Sequence, residues 1–200
     1  MKAKILFTFL LASLWSMAIS NTSGLKVGDK ATDFKLKNVD GKMVSLSDFV
    51  DAKGYIVVFT CNTCPYAKAY EDRLIELSDT YAPQGIPVIA INPNDPQVQP
   101  GDSFDAMVAR YSEKAFTFPY LIDETQATAR AYGATHTPHV YVLDKSLSVV
   151  YIGAIDNNYK DADKADQKYV ENAVKALKKG AKVEPSSTKA IGCTIKWKQA

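Results

Sequence analysis

The junction near residue 60 limits the possible folds of this chain more than any other feature. Tyr55-Ile-Val-Val-Phe59 is apolar and largely β-branched or aromatic, the composition of a strand buried on both faces. Cys61-Asn62-Thr63-Cys64-Pro65 follows almost at once. A helical pattern comes next, with Ala67, Tyr70, Leu74, Leu77 and Tyr81 on one face and Lys68, Glu71, Asp72, Glu76 and Asp79 on the other. A cysteine at the first turn of a helix meets unpaired backbone N–H groups and the positive end of the macrodipole. Both favour thiolate and lower the pKa from about 8.5 toward neutrality. Two intervening residues let the second sulfur reach the first across one turn, so the pair can close a short disulfide. This spacing predicts Cys61 as the exposed nucleophile and Cys64 as the more buried resolving thiol. Pro65 suits an early helix position, where a missing N–H costs little.

Other readings of a Cys-x-x-Cys pair compete with this one. A static disulfide of so short a loop gains little from closure. Half of a zinc site would need further ligands, and only Cys193, His136 and His139 remain. Covalent haem attachment needs a histidine where Pro65 stands.

The rest of the chain alternates strand and helix patterns. Phe34 and Leu36, the Asp40-Gly41 turn and Met43 to Leu46 read as an amino-terminal hairpin. Strands are expected over Ile86 to Ile91, His139 to Leu143 and Val149 to Ile152, with a short segment around Pro119 to Ile122. Helices are expected from the cysteine pair to Tyr81, over Ser103 to Lys114, Thr125 to Tyr132 and Ala165 to Lys179. The loop from Asn92 to Asp102 is rich in Pro, Asn and Asp and fits neither element. This order predicts an α/β fold in three layers: a central mixed sheet, helices on both faces and the amino-terminal hairpin. In the tail, residues 180–200, the composition of Glu184 to Lys189 suits a disordered extension, whereas the end around Trp197 is apolar enough to pack back.

Residues 1–20 have the layout of a secretory signal peptide: Lys2 and Lys4, an apolar run from Ile5 to Leu14, then small residues at Ala18 and Ser20. Residues 21–200 would then form one exported domain, periplasmic or extracellular, with no membrane insertion after cleavage. The chain carries 24 Lys plus Arg against 22 Asp plus Glu, and setting aside Lys2 and Lys4 leaves 22 against 22. Such a balance gives no reason to expect nucleic acid as a partner.

The cysteine pair between strand and helix, with Thr137-Pro138 opening a later strand, resembles the thioredoxin fold. Asp29, Phe34, Phe118-Pro119-Tyr120-Leu121-Ile122-Asp123, Tyr132-Gly133 and Gly153 are similar to its redoxin branch, related to AhpC/TSA proteins and including bacterial extracytoplasmic thiol-disulfide oxidoreductases. Cys64-Pro65-Tyr66, Ala90 to Asp95, Ile155-Asp156-Asn157 and Ile191 to Trp197 resemble a bacterial redoxin-domain subfamily, and the likeness spans about Lys26 to Trp197. The resemblance implies a cis bond at Pro138, with Thr137 facing the active site. It also implies a thiol-disulfide oxidoreductase without cofactor or metal, probing the disulfides of protein partners as a reductase and recharged by an upstream electron donor.

The chain departs from the family in several places. Peroxiredoxins carry Thr three residues before the reactive Cys; Val58 and Cys61 occupy those places here, which disfavours peroxide reduction. Tyr55 stands where thioredoxin has a buried Asp as proton acceptor, leaving Asp123 and Glu124 as candidates for Cys64. His139 is a candidate accessory cation or proton shuttle, and Cys193 a candidate third redox thiol. Copper carriers on this fold use two Cys and one His, but with three residues between the sulfurs rather than two.

Overall fold

A computed structural model describes residues 24–199, so the expected signal peptide lies outside the described residues. Among the described residues the strands are β1 (Leu36–Asn38), β2 (Met43–Val44), β3 (Gly54–Phe59), β4 (Val88–Asn92), β5 (Tyr120–Ile122), β6 (His136–Thr137), β7 (His139–Asp144), β8 (Val149–Gly153) and β9 (Cys193–Thr194). The helices are α1 (Pro65–Ala69), α2 (Glu71–Tyr81), α3 (Phe104–Lys114), α4 (Ala127–Tyr132) and α5 (Tyr169–Lys178). Seven strands form one sheet in the order β2-β1-β5-β4-β3-β7-β8, and β6 pairs with β9 in a separate two-stranded sheet. β4 runs parallel to both β3 and β5, while β7 is antiparallel to β3 and to β8. The sheet is therefore mixed, as the element order predicts.

Strand alternation divides the core into two layers. Ile56 and Val58 of β3, Val88 and Ala90 of β4, and Val140 and Val142 of β7 face Leu74 and Leu77 of α2, Met107 of α3 and Val170 and Val174 of α5. Tyr55, Val57, Phe59, Ile89, Ile91, Tyr141 and Leu143 face the other way, onto Ala129 and Tyr132 of α4 and the segment carrying Ala31, Phe34 and Leu46. All six residues of β3 are buried. At roughly 1.5–3 kcal/mol for each large aliphatic or aromatic side chain, this strand anchors both layers. It also fixes the position of Cys61, two residues past its end.

The hairpin forms as expected, with Gly41 at φ +85° in its turn. Ser103 caps α3 by accepting the Ala106 N–H. The helix expected from the cysteine pair to Tyr81 is instead two helices, with Tyr70 (φ −98°, ψ −4°) closing the first and opening the second. The Tyr70 ring is fully buried there, and its hydroxyl donates to the Asp156 carboxylate at 2.8 Å.

The carboxy-terminal segment departs most from expectation. Glu184 to Lys189 is not a free extension. Thr188 N–H donates to Ile152 C=O at 2.9 Å, and Ile152 N–H donates to Ser186 C=O at 3.1 Å, so the segment lies along the open edge of β8. Thr188 Oγ1 accepts the Ala154 N–H at 3.0 Å and shares a hydrogen bond with Tyr151 Oη at 2.6 Å. Further on, Ile195 is buried and the Arg130 guanidinium lies 4.4 Å from the Trp197 ring centroid, so the Trp197 end packs back on the domain. Thr188→Val leaves the Ala154 N–H without its acceptor, so unfolding stability should fall by about 1–3 kcal/mol. Urea denaturation should show a lower midpoint at unchanged slope; an unchanged midpoint would show that Thr188 does not fasten the tail.

Candidate active site

β3 ends at Phe59, and Thr60 N–H still bonds Ile91 C=O at 2.8 Å, so the cysteine loop leaves from a fixed point. The helix that follows begins at Pro65 with Cys64 as its N-cap. Cys61 is therefore not in the first helical turn, which corrects the expectation from spacing. The reason lies in Asn62 and Thr63, whose N–H groups are taken by a carboxylate distant in sequence. Asp102 Oδ1 accepts Asn62 N–H at 2.8 Å and Thr63 N–H at 3.1 Å. Its Oδ2 accepts Thr63 Oγ1–H at 2.9 Å and Asn94 Nδ2–H at 2.7 Å. Asn62 Nδ2 donates to Gly101 C=O at 3.0 Å, and Tyr120 Oη donates to Asn62 Oδ1 at 2.9 Å. Asp102 is fully buried, and sequence reasoning missed it. The only local signal was its place at the end of the Asn- and Asp-rich loop.

Thr137 is the meeting point of the site. The Thr137-Pro138 bond is cis, as the resemblance implies. Cys61 Sγ and Thr137 Oγ1 share a hydrogen bond at 3.2 Å, and Cys64 Sγ–H, while protonated, donates to the Thr137 carbonyl at 3.1 Å. β9 pairs antiparallel with β6, placing Cys193 opposite Thr137 and Thr194 opposite His136. Cys193 N–H donates to Cys64 Sγ at 3.3 Å. Gly192 makes this approach possible, since a Cβ there would overlap the Thr137 carbonyl group and lie 2.9 Å from Pro138 N. All three cysteines are free thiols.

Cys61 and Cys64 are each only 3% exposed, so the expectation of an exposed Cys61 is corrected: Tyr66 and Cys193 of β9 pack against the cluster that the two cysteines form with Ala67. Their electrostatics also differ from expectation. Cys64 is pushed down to about 5, chiefly by a hydrogen bond from the Cys61 thiol. Burial opposes this, while the Cys193 thiol and the N–H groups of Ala67 and Cys193 add to it. Cys61 is pushed well up by giving that hydrogen bond, by burial and by the negative charge of Asp102. Cys64 thus holds the thiolate in the reduced state, and the helix terminus acts on it rather than on Cys61.

His139 does not join the cysteines. It shares a sheet face with Tyr141, its ring 4.9 Å from that ring, and its Nδ1 accepts Thr135 N–H at 3.4 Å. Burial and neighbouring His136 push it down to about 4, so it is neutral at neutral pH and supplies no cation. His136 pairs with Thr135 Oγ1 at 2.8 Å at the surface. Asp123 is also turned away: it caps α4 by accepting Ala129 N–H at 2.8 Å, and Thr125 Oγ1 lies 3.5 Å from it. Among the described residues, no group of three or more His, Cys, Asp or Glu side chains is arranged to hold a metal ion.

A thioredoxin-like α/β fold that brings a dithiol against a cis proline defines the class, an oxidoreductase that works through cysteine sulfur. Residues 27–152 match the AhpC/TSA family, and the chain belongs to it. It is 26% identical over 153 residues to the thiol-disulfide oxidoreductase ResA of Geobacillus thermodenitrificans, covering 74% of this chain and 83% of that protein. An uncharacterized conserved protein from Geobacillus kaustophilus superposes with a TM-score of 0.82 at 37% identity, covering 88% of this chain and 94% of the other. A structure from Chlorobium tepidum described as a candidate thiol:disulfide interchange protein DsbE has a TM-score of 0.62 at 25% identity, covering 77% and 99%.

The assignment of charge predicts a titration. In the reduced protein one thiolate should persist down to about pH 5, seen by ultraviolet thiolate absorbance, and Cys64→Ser should remove it. The folded pKa lies below the unfolded value of about 8.5, so this group stabilises the reduced fold fully above that pH. The gain is lost as pH falls through about 5. A thiolate that survives in Cys64→Ser but vanishes in Cys61→Ser would reverse the assignment.

Proposed function

We propose that this chain is an exported thiol-disulfide oxidoreductase whose Cys61-Cys64 dithiol reduces disulfides in protein partners and is recharged by an upstream electron donor. The observation that carries the reading is the sulfur pair itself, gathered on Thr137: Cys61 Sγ lies 3.2 Å from its hydroxyl and Cys64 Sγ 3.1 Å from its carbonyl oxygen. Cys61 takes the partner: its proton passes to the Cys64 thiolate as its sulfur attacks the partner disulfide, a Cys61–partner bond forms, and the departing partner sulfur takes up that proton, returning Cys64 to thiolate. Cys64, already deprotonated, then attacks Cys61 Sγ, closing Cys61–Cys64 and releasing the second partner sulfur. No separate proton acceptor is needed for Cys64, because the thiol and backbone donors around it stabilise its anion directly. Tyr55 in place of a buried acid, and Asp123 occupied in capping, are consistent with this.

Export rests on the pattern of residues 1–20. Among the described residues no helix is long and apolar enough to cross a membrane. Reduced protein mixed with a disulfide-bonded protein such as insulin should lose two thiols per chain and yield a Cys61–Cys64 linked peptide. Cys64→Ser should accumulate a mixed disulfide on Cys61, and Cys61→Ser should reduce the partner at least 100-fold more slowly. If Cys61→Ser reduces insulin at the wild-type rate, the proposed nucleophile is wrong.

A further inference from the structure

Three sulfurs meet at this site, and the two-cysteine exchange uses only two. Cys64 is the middle one: it shares Thr137 with Cys61 on the loop side, and Cys193 of β9 packs against the cluster they form. Cys193 is held there by its own backbone. Its N–H donates to Cys64 Sγ at 3.3 Å, and Thr137 is its register partner in the β6–β9 pair. The flanking chain is fastened on both sides. Ile195 N–H donates to Thr135 C=O at 3.1 Å, Lys196 N–H to Asn94 Oδ1 at 2.8 Å, and Lys198 N–H to Gln126 Oε1 at 2.8 Å. On the other side, Thr188 is bound to Ala154 and Tyr151. Gly192 lets the strand lie directly on the Thr137 carbonyl. A strand anchored at both ends thus presents a thiol to Cys64, at a local concentration that no thiol in solution matches.

We propose that Cys193 is a third redox residue, which exchanges into the Cys61–Cys64 disulfide at Cys64 and so fastens the carboxy-terminal strand over the site. The step is a thiol-disulfide exchange without net oxidation. Cys193 Sγ attacks Cys64 Sγ, the Cys61–Cys64 bond breaks as the Cys64–Cys193 bond forms, the electron pair leaves on Cys61, and the proton lost by Cys193 ends on Cys61. Cys61 becomes a free thiol again while the oxidation is stored between Cys64 and β9. In that state β9 stays on β6 beside the cis proline. A partner would have to displace it, so the stored disulfide holds the site closed.

This inference rests on the dithiol reading above, and the two fail separately. Cys61→Ser protein, dilute and fully reduced, is treated with glutathione disulfide, alkylated, and mapped by mass spectrometry without reduction. Cys64 thiolate first takes up glutathione, and Cys193 then displaces it, giving a Cys64–Cys193 linked peptide and two reduced glutathiones per chain. That bridge should account for most of the chains. Wild-type protein, oxidised with one equivalent and quenched, should yield both Cys61–Cys64 and Cys64–Cys193 linked peptides. Glutathione remaining on Cys64 or Cys193 in folded Cys61→Ser, together with wild type bridged solely at Cys61–Cys64, would overturn the proposal and leave the dithiol reading standing. Should Cys61→Ser fail to fold, the wild-type map decides alone. Absence of any Cys61–Cys64 bridge in the Cys193→Ser protein would instead count against the dithiol reading itself.

Discussion

The site depends on one residue that is not a cysteine. Thr137 offers its hydroxyl to Cys61, its carbonyl to Cys64 and its backbone edge to Cys193, and it is itself wholly buried. Buried polar groups and sulfurs are held in place by the partners they find. Contacts at this one residue bring the β3–α1 junction, the cis-proline segment and the carboxy-terminal tail, far apart in sequence, to one point. The strand β3, buried on both faces, places Cys61; the short helix α1 places Cys64; the wrapped tail places Cys193.

Charge is distributed to match. The buried carboxylate of Asp102 takes up both N–H groups between the cysteines, leaving Cys61 outside the helix and beside a negative charge. Cys64 receives the donors instead. A negative group opposite the first sulfur and N–H donors around the second separate the two pKa values, so one proton is shared unequally across the pair. This division gives the attacking and the resolving steps different sulfurs without any additional titratable residue.

Much of the scaffold was legible in the chain. The run Tyr55 to Phe59, the Asp40-Gly41 turn, the helix from Ser103 to Lys114 and the helical periodicity of α2 are local signals, and local hydrogen bonding and burial honour them. The cis bond at Pro138 came from resemblance, since propensity alone favours trans. The unreadable parts are those decided at long range. Where the helix starts depends on Asp102, about forty residues from the loop it caps. Glu184 to Lys189 has the composition of a free tail but is held by the open edge of β8, a partner that composition does not register. His139 carries the right chemistry for an accessory group, yet strand alternation turns it to the face shared with Tyr141. Cys193 could be named as a redox candidate, but only the β6–β9 pairing sets it against Cys64.

The central claim is that Cys61 and Cys64 act as one two-electron unit. Wild-type protein equilibrated in glutathione buffers of graded ratio and alkylated under acid quench tests it most directly, with free thiols counted by mass. The account predicts a single transition in which two of the three thiols disappear together while one remains, with no bound glutathione at the end point. Stepwise loss of single thiols, each leaving a glutathione adduct on the chain, would contradict it.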